Sequence, residues 1–279
     1  MSYKSEGIST REYLHLIGVP EILPRTSPFD PGYDVVTLES HLEQSAHLIE
    51  NLKISMSCWL IAKEEVTRRK FAAARAHGIP VITGGGPFEI AAAQGQLEAY
   101  LDICADLGGA AIECGEGFTS LSLQPRTICS MARERGLTVQ FEMGKKHEGV
   151  FTEQTLQQQI ANGYRWLEAG AEALVVEARE SARDVGLFDG QGEFDPRLAD
   201  TLANTFGLSL LRFEAPTKSS QFELLAHFGR DVHLCNVRLE EILRVEIFRR
   251  GLHADSFILP GLRPELNAGG SKEDNRGKE

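Results

Sequence analysis

From about Gly78 onward the apolar positions of the chain fall into one repeating unit. An amphipathic stretch with apolar residues three to four apart is followed by a glycine, a short unbroken apolar run and a polar cluster. Gly78 precedes Ile79 to Thr83, Gly136 precedes Leu137 to Glu142, Gly170 precedes Ala171 to Glu177, Gly207 precedes Leu208 to Glu214, and Gly229 precedes Val232 to Asn236. Three-to-four spacing is the signature of a helix with one buried face. A short β-branched run without alternation suits a strand covered on both sides. The glycine sits where a helix ends in a left-handed residue. Helical windows are expected over Lys63 to His77, Glu89 to Leu107, Gln124 to Arg135, Thr155 to Ala169 and Glu240 to Gly251.

Two further strands fit near Glu21 to Phe29 and Leu48 to Ser55, and Ala110 to Glu113 supplies another. Helix and strand in alternation imply a parallel sheet, and eight strands favour a closed (β/α)8 barrel, the TIM-barrel form of the α/β class, over an open doubly wound sheet. The chain of 279 residues, 42% of them apolar, is long enough for one such domain. The expected organisation is an N-terminal extension over 1–19, the barrel over 20–262 and a disordered, polar tail over 263–279, most evident from Asn267 onward.

Charge and cysteine content narrow the classes. Lys and Arg total 29 against 40 Asp and Glu, a formal net charge of -11, which argues against nucleic acid or an anionic membrane as partner. The start, Met1 to Arg11, lacks the apolar stretch of a signal peptide, and no apolar run approaches a membrane span, so a cytoplasmic protein is expected. The five cysteines contain no C-x-x-C pair, which speaks against a disulfide framework or a thiolate zinc site.

The candidate chemistry lies at the strand ends. Glu113, Glu142, Glu177 and Glu214 each close an apolar run, and in a barrel these positions converge on one mouth. Buried carboxylates are costly unless paired or bound to metal, so the set invites Mg²⁺ together with basic partners. Basic residues follow directly: Lys145 and Lys146 after Glu142, Arg179 after Glu177, Lys218 after Glu214. A lysine beside a metal and other cations has its pKa lowered toward neutrality, which suits one member of the Lys145 and Lys146 pair to acid-base work. The alternative for that pair is a solvated loop. Arg179 is either an anion fork or half of a structural pair with Glu180. Gly84-Gly85-Gly86 permits close approach of backbone to a ligand, or is a flexible turn. Asn236 and Lys218 fall in the barrel quarter where phosphate sites are frequent. Cys114 has no nearby histidine to activate it.

Several stretches, in order and spacing, resemble the phosphosulfolactate synthase family, which opens coenzyme M biosynthesis by adding sulfite to phosphoenolpyruvate. They are Gly84-Gly85 with Phe88-Glu89, Glu142-Met143-Gly144-Lys145-Lys146, Glu177-Ala178-Arg179-Glu180-Ser181, Gly186-Leu187-Phe188-Asp189, Phe213 to Lys218 with Gln221, Leu234-Cys235-Asn236, Arg249-Arg250-Gly251-Leu252 and Asp255-Ser256-Phe257. The resemblance runs from about Asp30 to Phe257 and implies Mg²⁺ dependence, a homo-oligomer and a Michael-type addition giving (2R)-2-phospho-3-sulfolactate. On that model Lys146, preferred to Lys145, protonates C2, and Lys53 is a further catalytic cation. Arg179, Lys218 and Asn236 grip phosphate, with Gly84, Gly85 and Asp30 lining the substrate. Glu142, Glu177 and Glu214, with Glu113, are the metal candidates.

The first half departs from the family pattern. Asp30-Pro31-Gly32 replaces Asp-Lys-Gly or Asp-Asn-Gly, and Lys53-Ile54-Ser55-Met56-Ser57-Cys58 keeps only the lysine of Lys-Phe-Gly-Trp-Gly-Thr. Gly86 stands for threonine, and Gly115-Glu116 for a Ser-Asp pair. Two alternatives therefore stand beside the sulfite reaction: another nucleophile added to phosphoenolpyruvate or a related enol acid, and a non-catalytic barrel like the heat-stress-associated plant proteins that share the resemblance. Retention of Lys146, Arg179 and Lys218 favours an enzyme.

Overall fold

The computed structural model describes residues 7–54 and 56–265. Eight strands, β1 Thr26–Asp30, β2 Leu52–Ile54, β3 Val81–Thr83, β4 Ala111–Gly115, β5 Thr138–Met143, β6 Ala173–Val176, β7 Leu211–Glu214 and β8 Leu234–Arg238, pair in sequence order. All pairs are parallel, and β8 returns to β1, so the sheet closes on itself. This is the expected (β/α)8 barrel. Every residue of β2, β3, β4 and β6 is buried. One face fills the barrel and the other meets the helices, so these segments have no polar side and read as unbroken apolar runs. Phe141 stacks on Trp166 of the helix Glu153–Ala169, with ring centroids 4.8 Å apart, an example of how sheet and outer layer interlock.

The five repeat glycines all have φ between 72° and 109°, the conformation that ends each helix and turns the chain into the next strand. The structure is finer than the sequence pattern in three places. The window Glu89 to Leu107 is two helices, Gly85–Ala93 and Leu97–Asp106, interrupted at Gly95, whose φ of 67° cannot continue a helix. The first strand begins only at Thr26, after Pro20 and Pro24, which have no N–H for a ladder. The runs at Leu48 and Leu208 begin as 3₁₀ turns, Ala46–Leu48 and Leu208–Leu210, before their strands. The proposed tail lies outside the described residues apart from 263–265. Among the described residues no helix is long and apolar enough to cross a membrane.

One irregularity in the sheet aims a side chain. Against β8, Ser27 pairs with Cys235 but Pro28 pairs with Val237. Asn236 is thus the extra residue of a bulge and takes φ 51°, a conformation Asn tolerates better than most residues. Pro28 forces the break because it cannot donate to the ladder.

At the opposite end of the barrel the fully buried Arg249 ties the last long helix, Ile242–Arg249, to the starts of β1 and β8. Its guanidinium donates to the carbonyls of Arg230 (2.6 Å) and Val232 (2.8 Å), to Thr26 Oγ1 (3.1 Å) and to Glu246 Oε1 (3.0 Å). Arg249→Met leaves those carbonyls buried without a donor. We expect it to lower unfolding free energy by about 3–5 kcal/mol, read as a reduced denaturant midpoint at unchanged slope.

Candidate functional site

A cavity of about 880 Å³ opens at the carboxyl ends of the strands, and its floor is polar. Lys53 on β2, Glu113 on β4, Glu142 on β5, Glu177 just after β6, Glu214 closing β7 and Asn236 on β8 all line it, as does Lys146 from the loop after β5. Lys53 Nζ lies 2.9 and 2.8 Å from the two carboxylate oxygens of Glu113 and 2.7 Å from Asn236 Oδ1. Asn236 Nδ2 donates in turn to Glu214 Oε1. Glu214 Oε2 accepts from the backbone N–H groups of Ala178 (2.8 Å) and Arg179 (3.1 Å), and the latter also donates to Glu177 Oε1 (2.5 Å). Lys146 Nζ completes the chain of contacts, 2.6 Å from Glu177 Oε2 and 3.0 Å from Glu142 Oε1. The result is one continuous polar arc from Glu113 to Glu142.

Each link needs an unusual piece of backbone. Asn236 reaches both Lys53 and Glu214 because it sits in the β8 bulge. Arg179 offers its N–H to two carboxylates from φ 57°, the left-handed region, and Ala182 and Asp184 share that conformation, so the loop after β6 carries backbone strain at the cavity. That loop folds back onto its own strand at Gly186, where a Cβ would lie 2.3 Å from the carbonyl oxygen of Glu177.

The arc holds four carboxylates and two ammonium groups, an excess of negative charge in a buried place. Burial and the neighbouring Glu177 push the Glu142 carboxyl well above the usual carboxylate range, and the same two causes raise Glu214. Burial opposes ionisation of Glu177 too, but Lys146 and hydrogen bonds hold it down, to about 2. Burial works against the Lys146 ammonium, yet Glu142 and Glu177 outweigh it and raise its pKa above the ordinary lysine value. Lys53 is raised in the same way by Glu113 and Glu214. The expected lowering supposed a metal and other cations beside the lysine; here carboxylates surround it, and the direction is upward. Lys146 is thereby held as the charged ammonium.

The structure separates the two adjacent lysines. Lys145 turns outward, about half exposed, and pairs with Glu148. Lys218 is also outside the cavity: it is the first residue of the helix Lys218–Phe228 and rests its ammonium over Phe222, 5.1 Å from the ring centre. Asp30 is buried beneath the site. It pairs with Lys70 (2.6 Å) and accepts the N–H groups of Gly32 and Tyr33, so it shapes the turn after β1. Gly84 and Gly85 do line the cavity. The close approach that Gly85 permits is to the protein's own carboxylates: a Cβ there would meet Glu142 Oε2 at 3.5 Å and Glu113 Oε1 at 3.7 Å. Cys114 is fully buried, and burial raises its thiol pKa, which leaves it inert.

Sequence reasoning missed Arg238. It lines the cavity two residues beyond Asn236, is anchored by Glu240 at 2.6 Å and keeps nearly half of its side chain exposed. Its place at the end of the last strand was the available signal. Arg179 lines the cavity as well, so two arginines stand beside the acidic floor.

This combination of a closed barrel, glutamates near the carboxyl ends of four strands and a part-buried Lys146 agrees with the comparisons to known proteins. The family model for (2R)-phospho-3-sulfolactate synthase (ComA) matches residues 20–255. The chain belongs to that family of enzymes. The phosphosulfolactate synthase of Methanocaldococcus jannaschii is 31% identical over 233 residues, covering 83% of this chain and 93% of that protein. Those of Methanothermobacter thermautotrophicus and Bacillus subtilis are 26% and 24% identical, over 83% and 82% of this chain and 90% of each relative. Among solved structures, 3-dehydroquinate dehydratase from Geobacillus kaustophilus superposes with a TM-score of 0.52 at 10% identity, covering 81% of this chain and 91% of that one. The carboxyl transferase domain of Rhizobium etli pyruvate carboxylase gives 0.55 at 11%, over 95% and 50%. These two show the barrel fold alone.

The charge excess has a measurable consequence. A carboxyl whose folded pKa lies above its unfolded value destabilises the fold once pH exceeds the unfolded value, near 4.3, and most strongly above the folded one. Glu142→Gln removes that charge. It should raise the melting temperature of the metal-free protein more at pH 8 than at pH 5, by about 2–4 °C for each kcal/mol relieved. Differential scanning calorimetry at both pH values checks this.

Proposed function

We propose that this member of the phosphosulfolactate synthase family adds sulfite to phosphoenolpyruvate to give 2-phospho-3-sulfolactate, with Lys146 as the acid. The observation that carries the reading is the Lys146 ammonium, held between Glu142 and Glu177 inside the cavity and kept charged by them. Family membership and the two arginines that line the cavity, Arg179 and Arg238, support an anionic substrate.

Mg²⁺ belongs to the proposal. Among the described residues no three His, Cys, Asp or Glu side chains form a ready metal cage. Mg²⁺ does not require one, since it keeps several waters and takes one or two carboxylates together with substrate oxygens. Glu113 and Glu142 fit that demand. They converge on the space a Cβ of Gly85 would fill, and Glu113 Oε2 is buried without an aligned hydrogen-bond donor although Lys53 is 2.8 Å away. The arc also sets four carboxyl groups against only two lysines. Glu177 and Glu214 are engaged by Lys146, Asn236 and backbone N–H groups, and they suit positioning instead. When bound, the metal would supply electrostatic stabilisation of the substrate carboxylate as negative charge builds there.

The chain's own residues carry the rest. Arg179 and Arg238 hold the phosphate, while Lys53 faces the carboxylate. Lys218 lies outside the cavity and has no part in this reading. The sulfur lone pair of sulfite forms the C3–S bond, the C2–C3 π electrons move toward C2 and the carboxylate, and Lys146 Nζ delivers a proton to C2. The neutral amine regains its proton from water at the open mouth of the cavity, and Glu142 and Glu177, 3.0 and 2.6 Å away, hold the restored ammonium in place.

A second reading has its own observation. Phe29, Pro31, Met56 and Ile90 give one side of the cavity an apolar wall, which favours a nucleophile larger and less polar than sulfite, such as an organic thiol. Incubation with phosphoenolpyruvate, Mg²⁺ and sulfite, followed by product mass with and without chelator, tests the first reading. The adduct should form only with metal, and Lys146→Ala should lower kcat by about 10²- to 10⁴-fold. Binding of phosphoenolpyruvate without a sulfite adduct, but with adducts of thiols, would establish the second.

A further inference from the structure

Glu89 is a buried glutamate that the proposed chemistry does not use, and its surroundings lead to Lys146. It lies on the helix Gly85–Ala93 that follows β3, with no exposed surface. Both of its oxygens face the loop after β4. Oε1 accepts the N–H of Gly117 (3.0 Å), and Oε2 accepts the N–H groups of Phe118 (3.0 Å) and Thr119 (2.8 Å) and the hydroxyl of Thr119 (2.9 Å). Three successive N–H groups gathered on one carboxylate fix the course of a segment that has no helix or strand of its own.

That segment is the wall behind Lys146. The carbonyl of Gly117 accepts the backbone N–H of Lys146 at 2.9 Å. A Cβ on Gly117 would stand 3.1 Å from Glu89 Oε1 and 3.2 Å from both Cγ and Cε of Lys146. Gly117 is therefore a thin spacer, with the carboxylate on one side and the lysine stem on the other. Gly115 plays the same part for the neighbouring acid: its Cβ would lie 3.3 Å from Glu142 Cβ and 3.6 Å from Glu89 Oε1. Neither glycine needs a left-handed φ, so their value here is closeness.

We infer that Glu89 is a positioning residue, which through the Gly115–Thr119 loop sets where the Lys146 ammonium stands between Glu142 and Glu177. The inference rests on the reading of Lys146 as the proton donor for its kinetic consequences, while the placement of the ammonium is a separate matter. Proton delivery to one carbon depends on sub-ångström placement of the donor, whereas binding of phosphate and carboxylate by Arg179, Arg238 and Lys53 does not pass through this loop. Loss of Glu89 should therefore appear in kcat and leave KM nearly unchanged.

Two variants test this from opposite sides. Glu89→Gln keeps the shape but presents an amide NH₂ to a set of donors. Gly117→Ala leaves the carboxylate and its bonds in place and pushes on the lysine stem, so it stays informative if the first variant folds poorly. Each should lower kcat by about 10- to 100-fold with KM for phosphoenolpyruvate within about threefold. The double variant should be no worse than the poorer single within about threefold, because both act on one element. Independently of turnover, the rate at which trinitrobenzenesulfonate modifies Lys146, read by peptide mass, should rise several-fold in both.

Unchanged kcat and unchanged labelling would overturn the inference, as would additive losses or KM rising in step with falling kcat. If the wild type forms no sulfite adduct but labelling of Lys146 still responds to both variants, the proposed reaction fails and the positioning role stands.

Discussion

Two ammonium groups shared among four buried carboxylates are the constraint on which the mouth of this barrel depends. A carboxylate withdrawn from water at the end of a buried strand is destabilising unless something positive or hydrogen-bonding meets it. Lys53 and Lys146 meet part of that demand, and backbone N–H groups of Ala178 and Arg179 meet more. What remains is burial and the neighbouring Glu177, which leave Glu142 and Glu214 with raised pKa values. A site in this state keeps its lysines charged.

The surrounding structure serves that arrangement. Pro28 breaks the β1 ladder, the break makes a bulge, and the bulge turns Asn236 toward Lys53 and Glu214. Left-handed residues in the loop after β6 turn the N–H of Arg179 inward. Glycines at 85, 115 and 117 let neighbouring elements approach the carboxylates and the lysine stem. None of these features would be favoured for local stability alone. They are held by the closed sheet, its interlocked outer helices and the buried Arg249 at the far end.

The cavity also has two characters. Its floor is charged, while Phe29, Pro31, Met56 and Ile90 line one side. The apolar side comes from the end of β1, the loops after β1 and β2 and the helix after β3, the region where the sequence departs from its family pattern. Most of the charged side comes from the second half of the barrel, where the pattern is kept, with Lys53 on β2 and Glu113 on β4 added from the first. The two characters of the cavity thus fall largely on different parts of the chain.

Much of this was legible in the sequence by itself. Strand and helix periods, punctuated by glycines at 78, 136, 170, 207 and 229, determined the barrel, and short-range order placed the four glutamates at strand ends, because both depend on local spacing. The partners of those glutamates were not readable. Lys145 and Lys146 are adjacent in sequence, yet one pairs with Glu148 at the surface and the other bridges β5 and β6. Lys218 follows Glu214 closely and still lies outside the cavity, whereas Arg238, which no motif marked, lines it. Glu89 meets its donors 28 to 30 residues away. Side-chain pairing across strands is decided by register, bulges and loop conformation, and these come into being only when the sheet closes.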